Sequence, residues 1–230
     1  RLPDWSHWMT QKTKPSAIQA TLRQPNYWRY ILGNGLSLIG TWMQRVAVGW
    51  LAWELTRSPA WLGIIAMSDF APVFILGPLG GALADRHSRI MVMVGAQLAA
   101  TLSALTLFGL SATGLLTVWH LAIFTFITGC AVGINQPARL ALVPNLVPRE
   151  LLTTAISINA MVFNGARFVG PMFSTAVIAL WSIHGSFLIN ACSYMALIIA
   201  LLSLRIPARE RPRTDGQQQS LLDDIGEGIQ

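Results

Sequence analysis

The sequence predicts an all-α membrane protein, a bundle of six transmembrane helices with both of its ends on the cytoplasmic side. Three observations carry this. Six apolar runs, each roughly the 20 residues that hydrocarbon demands, fill residues 30–204. Only 11% of the 230 residues are charged, against about 25% in an ordinary soluble domain, and 53% are hydrophobic. The basic residues also gather on one side of the runs.

The six expected spans are 30–53, 61–83, 90–112, 118–138, 153–180 and 184–204. Strands of a membrane barrel would be about half as long and would alternate polar with apolar residues, a pattern these runs lack. Helices satisfy their own backbone in lipid. Before the bundle, residues 1–29 form a polar cytoplasmic segment without a strong amphipathic period. After it, residues 205–230 read as a cytoplasmic linker rich in Arg, Pro and Gln. Within that linker Ser220 to Asp223 has the spacing of a capping box, so a short helix is expected to start there. The chain starts at Arg1 and stops in polar sequence, as a piece of a longer protein does. Its first apolar run is too long for a cleaved signal peptide.

Charge sets the orientation. Of sixteen basic residues, thirteen fall on one side: Arg1, Lys12, Lys14, Arg23, Arg29, Arg86, Arg89, Arg139, Arg149, Arg205, Arg209, Arg211 and Arg213. The other side carries only Arg57, and Arg45 and Arg167 lie within spans. The excess marks the cytoplasmic face of a cytoplasmic (inner) membrane. It accounts for the net charge of +6 as topology and headgroup attraction, with no nucleic acid among the expected partners. Trp53, Trp61, Trp119 and Trp181 then fall at the outer interface. The outer turns, 54–60, 113–117 and 181–183, are short, so sequential spans are expected to be antiparallel neighbours.

The inner turn Gly80-Gly81-Ala82-Leu83-Ala84-Asp85-Arg86-His87-Ser88-Arg89 holds an acid beside two arginines at a helix end. Gly77, Gly80 and Gly81 suit close helix contact, and the charged cluster suits pairing with a helix terminus elsewhere. This loop resembles the signature of the major facilitator superfamily. Two further stretches resemble the branch that includes the enterobactin exporter and macrolide-efflux-like carriers: Trp42-Met43-Gln44-Arg45-Val46-Ala47 with Glu54 to Pro59, and Pro137-Ala138-Arg139 through to Glu150. The resemblance runs from Pro25 to Leu204.

That resemblance implies the amino-terminal six-helix half of a twelve-helix fold, built from inverted three-helix repeats, with a carboxyl-terminal half as partner. It implies secondary active transport by alternating access, with protons driving export of an amphipathic small molecule such as a drug or siderophore. Gly81, Asp85, Arg86 and Arg89 would form the gating motif. Spans one and four line the cavity in this superfamily, which nominates Asn34, Gln44, Arg45 and Asn135 for substrate contact. Arg167, Gly170 and Pro171 resemble part of the span-five motif of exporters. Many proton-driven relatives carry an arginine in span four. Here Gly129 and Gly133 are present but Thr125 stands in its place, which argues against a proton relay centred there.

Ionisable residues inside spans are functional hypotheses by default. Arg45 and Asp69 lie eight residues below Trp53 and Trp61, both ~12 Å from the outer interface. Arg167, thirteen residues from Leu180, is ~20 Å deep and a poorer match for Asp69. Two readings of the pair stand open: Asp69 takes and gives a proton while Arg45 tunes its proton affinity, or the two form a static pair that fixes packing.

Other classes find little support. His7, His87, His120 and His184 lack Cys, Asp or Glu at metal-ligand spacing, and no phosphate-cradling Gly-Lys-Ser/Thr loop is present. Neither an enzyme, a metal nor a cofactor is expected. Cys130 and Cys192, alone in spans four and six, read as packing residues. Two alternatives to a carrier remain: a membrane scaffold or sensor that kept the fold without transport, and a carrier domain fused to a lipid-modifying enzyme.

Overall fold

Proline and capping residues punctuate the chain where the helices begin. The computed structural model describes residues 16–205, apart from the side chains of residues 84 and 85. Ser16 accepts from the Gln19 amide and caps a short helix, α1 (Ala17–Leu22). Pro25 and Pro59 occupy the first turns of α2 (Pro25–Thr56) and α3 (Pro59–Arg86), where a missing N–H costs nothing. Between them Arg57 takes a left-handed φ of 51° to end α2. Helix α4 (Arg89–Ala112) stops just before Gly114, whose φ is 72°. Thr117 and His120 cap each other's backbone at the start of α5 (Val118–Leu142). Two 3₁₀ turns, Val143–Asn145 and Arg149–Leu151, lead to α6 (Leu152–Leu180), and α7 (Ile183–Leu202) follows.

Several boundaries move from their sequence expectations, each for a packing reason. Residues 16–29 are not a plain polar segment: α1 lies there and α2 starts five residues before Tyr30. Tyr27 is fully buried and its hydroxyl donates to the Ala155 carbonyl at 2.8 Å, so tertiary contact holds that polar-looking turn in place. Helix α5 runs four residues past Ala138, which makes Arg139 helical and buried rather than a loop charge. Residues 206–230, including the expected helix at Ser220, lie outside the described residues.

Four helices, α3, α4, α5 and α7, are long and apolar enough to cross a membrane by length and composition. Helices α2 and α6 have 32 and 29 residues but carry more polar groups.

The expectation that sequential helices are packing neighbours does not hold. Among consecutive pairs only α4 and α5 pack extensively; α2 meets α6 and α7, α3 meets α5, and α4 meets α7. A short turn ties only the helix ends. The faces then settle by fit, and in lipid that fit comes from small residues and buried hydrogen bonds. Gly129 shows this. A Cβ added there would lie 2.6 Å from the Asp69 carbonyl oxygen, so α3 and α5 touch backbone to backbone. Gly170 does the same for α6 against α2, 2.5 Å from the Trp42 Cβ.

The pairing maps onto itself when α2, α3 and α4 are exchanged with α5, α6 and α7. Rising numbers meet rising numbers in α2 with α6 (Tyr27 with Ala155, Asn34 with Asn159) and in α3 with α5 (Asp69 with Gly129, Val73 with Gly133). Both pairs are therefore parallel. A hydrophobic core closes each end. One, around Tyr27, Met93, Leu142 and Leu201, lies at the end that carries α1; the other, around Leu51, Leu107, Leu121 and Phe187, lies at the opposite end. Between them the middle is lined with alanines, Ala96, Ala100, Ala104, Ala131 and Ala191, together with Tyr194.

Candidate functional site

The polar residues that lower the hydropathy of α2 fall at helical spacing: Asn34, Ser37, Thr41, and then Gln44 and Arg45 three and four positions on. A helix gathers such residues on one face. That face borders two cavities of about 350 and 300 Å³. The first extends towards the α1 end and is walled by Asn34, Gln97, Asn135, Arg139, Phe163 and Arg167. The second extends the other way and is walled by Gln44, Val48, Ile65, Asp69, Thr125 and Thr128. Thr41, Trp42, Arg45, Phe70 and Tyr194 border both and form the waist between them.

Arg45 and Asp69 meet at this waist, Nε to Oδ2 at 2.8 Å. The Nε–H makes no hydrogen bond, so it is not aimed at the carboxylate, and the contact is one of charge proximity. The Arg45 guanidinium also lies 4.5 Å from the Trp42 ring centre and 5.5 Å from that of Phe70. Beside it Thr41 donates to the Tyr194 hydroxyl at 3.2 Å. Arg167, too deep by residue count to match Asp69, sits 5.5 Å from the other neighbour of the pair, the Trp42 ring.

All four residues nominated for substrate contact border a cavity, but they differ in freedom. Gln44 Oε1 accepts from Asn190 Nδ2 at 2.7 Å, and Asn34 Nδ2 donates to Asn159 Oδ1 at 3.3 Å. Both side chains thereby join α2 to a neighbour. Asn135 Oδ1 is buried without a donor, as are Gln97 Oε1 and the Thr125 hydroxyl.

The residues of the expected gating motif divide. Arg89 Nη1 donates to the Ala141 carbonyl at 2.7 Å and so places its charge on the carboxyl end of α5. Arg86 is exposed at the end of α3. Gly80 packs against Ile134, whereas Gly77 and Gly81 face open space, so two of the three glycines expected to allow close approach have no neighbour among the described residues. The side chain of Asp85 lies outside the description. In the span-five motif Gly170 makes the tight crossing described above. Pro171 stays within an unbroken helix and removes the N–H that would have met the Arg167 carbonyl.

Sequence reasoning passed over Arg139. It is 7% exposed, donates to Gln136 Oε1 at 2.7 Å, and lies 5.7 Å from the Phe163 ring centre. The available signal was Gln136 three residues earlier, a helical spacing, but the apolar run ends at Ala138. The aromatic members of the waist, Trp42, Phe70 and Tyr194, carried no signal distinct from ordinary apolar residues.

Residues 16–227 match the family profile described as transmembrane secretion effector. The chain belongs to this family of the major facilitator superfamily. It is 28% identical to an uncharacterized major-facilitator-type transporter of Bacillus subtilis, over 85% of this chain and 46% of that protein. It is 29% identical to macrolide efflux protein A of Streptococcus pyogenes (76% and 43%) and 23% identical to the staphyloferrin A transporter of Staphylococcus aureus (77% and 45%). The chain thus spans about half the length of these relatives. The cavities bordered by Arg45 and Asp69 are its candidate functional site.

Proposed function

We propose that this chain is the amino-terminal half of a secondary active transporter, one that exports an amphipathic small molecule such as a drug or siderophore by proton-coupled alternating access. The observation that carries the reading is the waist: one ion pair, Arg45 with Asp69, lies between two cavities that extend towards opposite ends of the bundle. Alternating access requires a central site reached from each side in turn. The names of the macrolide and staphyloferrin relatives support small-molecule transport, and efflux for the former. The exchange symmetry of the helix pairing supports inverted repeats of α2–α4 and α5–α7.

On this reading all six long helices span a bacterial cytoplasmic membrane, and residues 16–29 and 205 face the cytoplasm. A second six-helix half follows the linker, and the two halves rock about the waist. Asp69 takes and gives the proton, and Arg45 is its partner in charge. The segment Gly81, Asp85, Arg86 and Arg89 latches one state.

The test uses the full-length protein in proteoliposomes with an imposed pH gradient and a panel of labelled drugs and siderophores. Wild-type protein is expected to move one of them, and Asp69→Asn is expected to retain facilitated exchange while losing accumulation against a gradient. Unchanged accumulation by Asp69→Asn sinks the proton role. Failure of every compound to move sinks the transport reading and favours a scaffold.

A further inference from the structure

We propose that the first cavity binds an organic anion, an amphipathic acid whose carboxylate or similar head meets Arg139 and Arg167 while its apolar or aromatic body lies along Trp42 and Phe163. The proposal deepens the transport reading and rests on it for the fate of the ligand; binding itself is tested apart from movement.

Charge imbalance is the first ground. Three guanidinium groups, Arg45, Arg139 and Arg167, border a cavity of about 350 Å³. Among the described residues the one carboxylate in ion-pair contact is Asp69, which serves Arg45 and borders the second cavity. Arg139 and Arg167 meet no acid there. A guanidinium does not give up its proton in a protein, so both remain cationic. Arg139 is buried and Arg167 is exposed, so the cost of a buried charge without a counter-charge falls on Arg139. An anionic ligand removes that cost in the bound state.

Unpartnered polar atoms are the second ground. Arg139 is more than nine-tenths buried, and its Nε has no acceptor. Gln97, also more than nine-tenths buried, presents an Oε1 that receives no donor, and Asn135 Oδ1 is in the same condition. All three residues border the first cavity, so unpaired donor and acceptor groups lie beside one space. A ligand that accepts at a carboxylate and donates from a hydroxyl satisfies both kinds.

The aromatic groups supply the third. Trp42 and Phe163 meet edge to face at 6.4 Å, Arg167 lies 5.5 Å from Trp42, and Arg139 lies 5.7 Å from Phe163. The two rings stand between the two guanidinium groups along the wall, which suits a flat acid. The volume suits a small organic molecule.

Equilibrium dialysis of the detergent-solubilised full-length protein decides the matter. The probes are labelled salicylate, its neutral amide salicylamide, and the cation tetraphenylphosphonium. Salicylate is expected to bind at least about tenfold more tightly than salicylamide, the worth of a charge-assisted hydrogen bond. Arg139→Gln and Arg167→Gln should each lower salicylate affinity about tenfold and leave salicylamide unchanged, and Arg139→Lys should recover most of the loss. Arg167 is exposed, so its variant keeps the test alive if Arg139→Gln fails to fold. The inference is overturned if salicylate does not bind, if the amide or the cation binds as tightly, or if neither glutamine variant changes the affinity. Flux in proteoliposomes separates the two proposals. Salicylate bound but not moved leaves the anion site standing and removes transport from it. Cations moved while salicylate is ignored leaves transport standing and removes the anion site.

Discussion

Arg45 of α2 and Asp69 of α3 lie 2.8 Å apart at the boundary between two cavities, although their helices share little contact elsewhere. The pair therefore links two helices that packing alone keeps apart. Asp69 gets its position from α5 instead, through the backbone contact at Gly129. Charge and packing hold the same carboxylate from two directions.

Breaking the pair from one side should destabilise more than removing both partners. A fully buried pair would lose roughly 3–5 kcal/mol when one partner goes. The Arg45 side chain is 26% exposed, so we expect about 2 kcal/mol for Arg45→Gln, with part of it recovered in Arg45→Gln/Asp69→Asn. Thermal unfolding in detergent across the four-member cycle measures this, and strict additivity refutes the coupling.

The α3–α5 crossing should tolerate no side chain at Gly129. We expect Gly129→Ala to cost about 1–3 kcal/mol, since the added carbon meets backbone that cannot rotate aside. Gly95→Ala is the control: it faces open space and should be neutral or stabilise by up to about 1 kcal/mol. Equal melting temperatures for the two variants would show that the helices separate freely.

The Asn190–Gln44 hydrogen bond joins α7 to α2 with both side chains buried. Asn190→Leu alone strands the Gln44 carbonyl and should cost about 1–2 kcal/mol. Adding Gln44→Leu should restore much of that stability. A double variant weaker than the sum of the singles points to a polar role beyond packing.

Orientation is open to labelling. With Cys130 and Cys192 replaced by serine, Arg57→Cys in intact cells should react with an impermeant maleimide. Arg86→Cys should react only after permeabilisation. The reverse pattern inverts the bundle.

The long helices were legible because lipid demands about 20 apolar residues in a row, and that demand is written locally. The basic residues at their ends are local too, and the loop around Asp85 was enough to suggest the superfamily. Arg139 was hidden because its burial depends on α5 continuing past Pro137 and on Phe163 from another helix, neither of which neighbouring residues report. Tyr27 lies in the stretch read as a polar segment for the same reason: its partner Ala155 lies more than a hundred residues away.

Depth along each helix is counted from its tryptophan, which by residue number alone places Arg45 and Asp69 at one level. The sequence by itself therefore determined the class, the helices and the height of the charges. Only the tertiary structure decided which helices touch, because a turn constrains ends while a glycine such as Gly129 or Gly170 finds its partner by shape. Through that choice it set three arginines and four aromatic rings around one cavity, an arrangement no single helix contains.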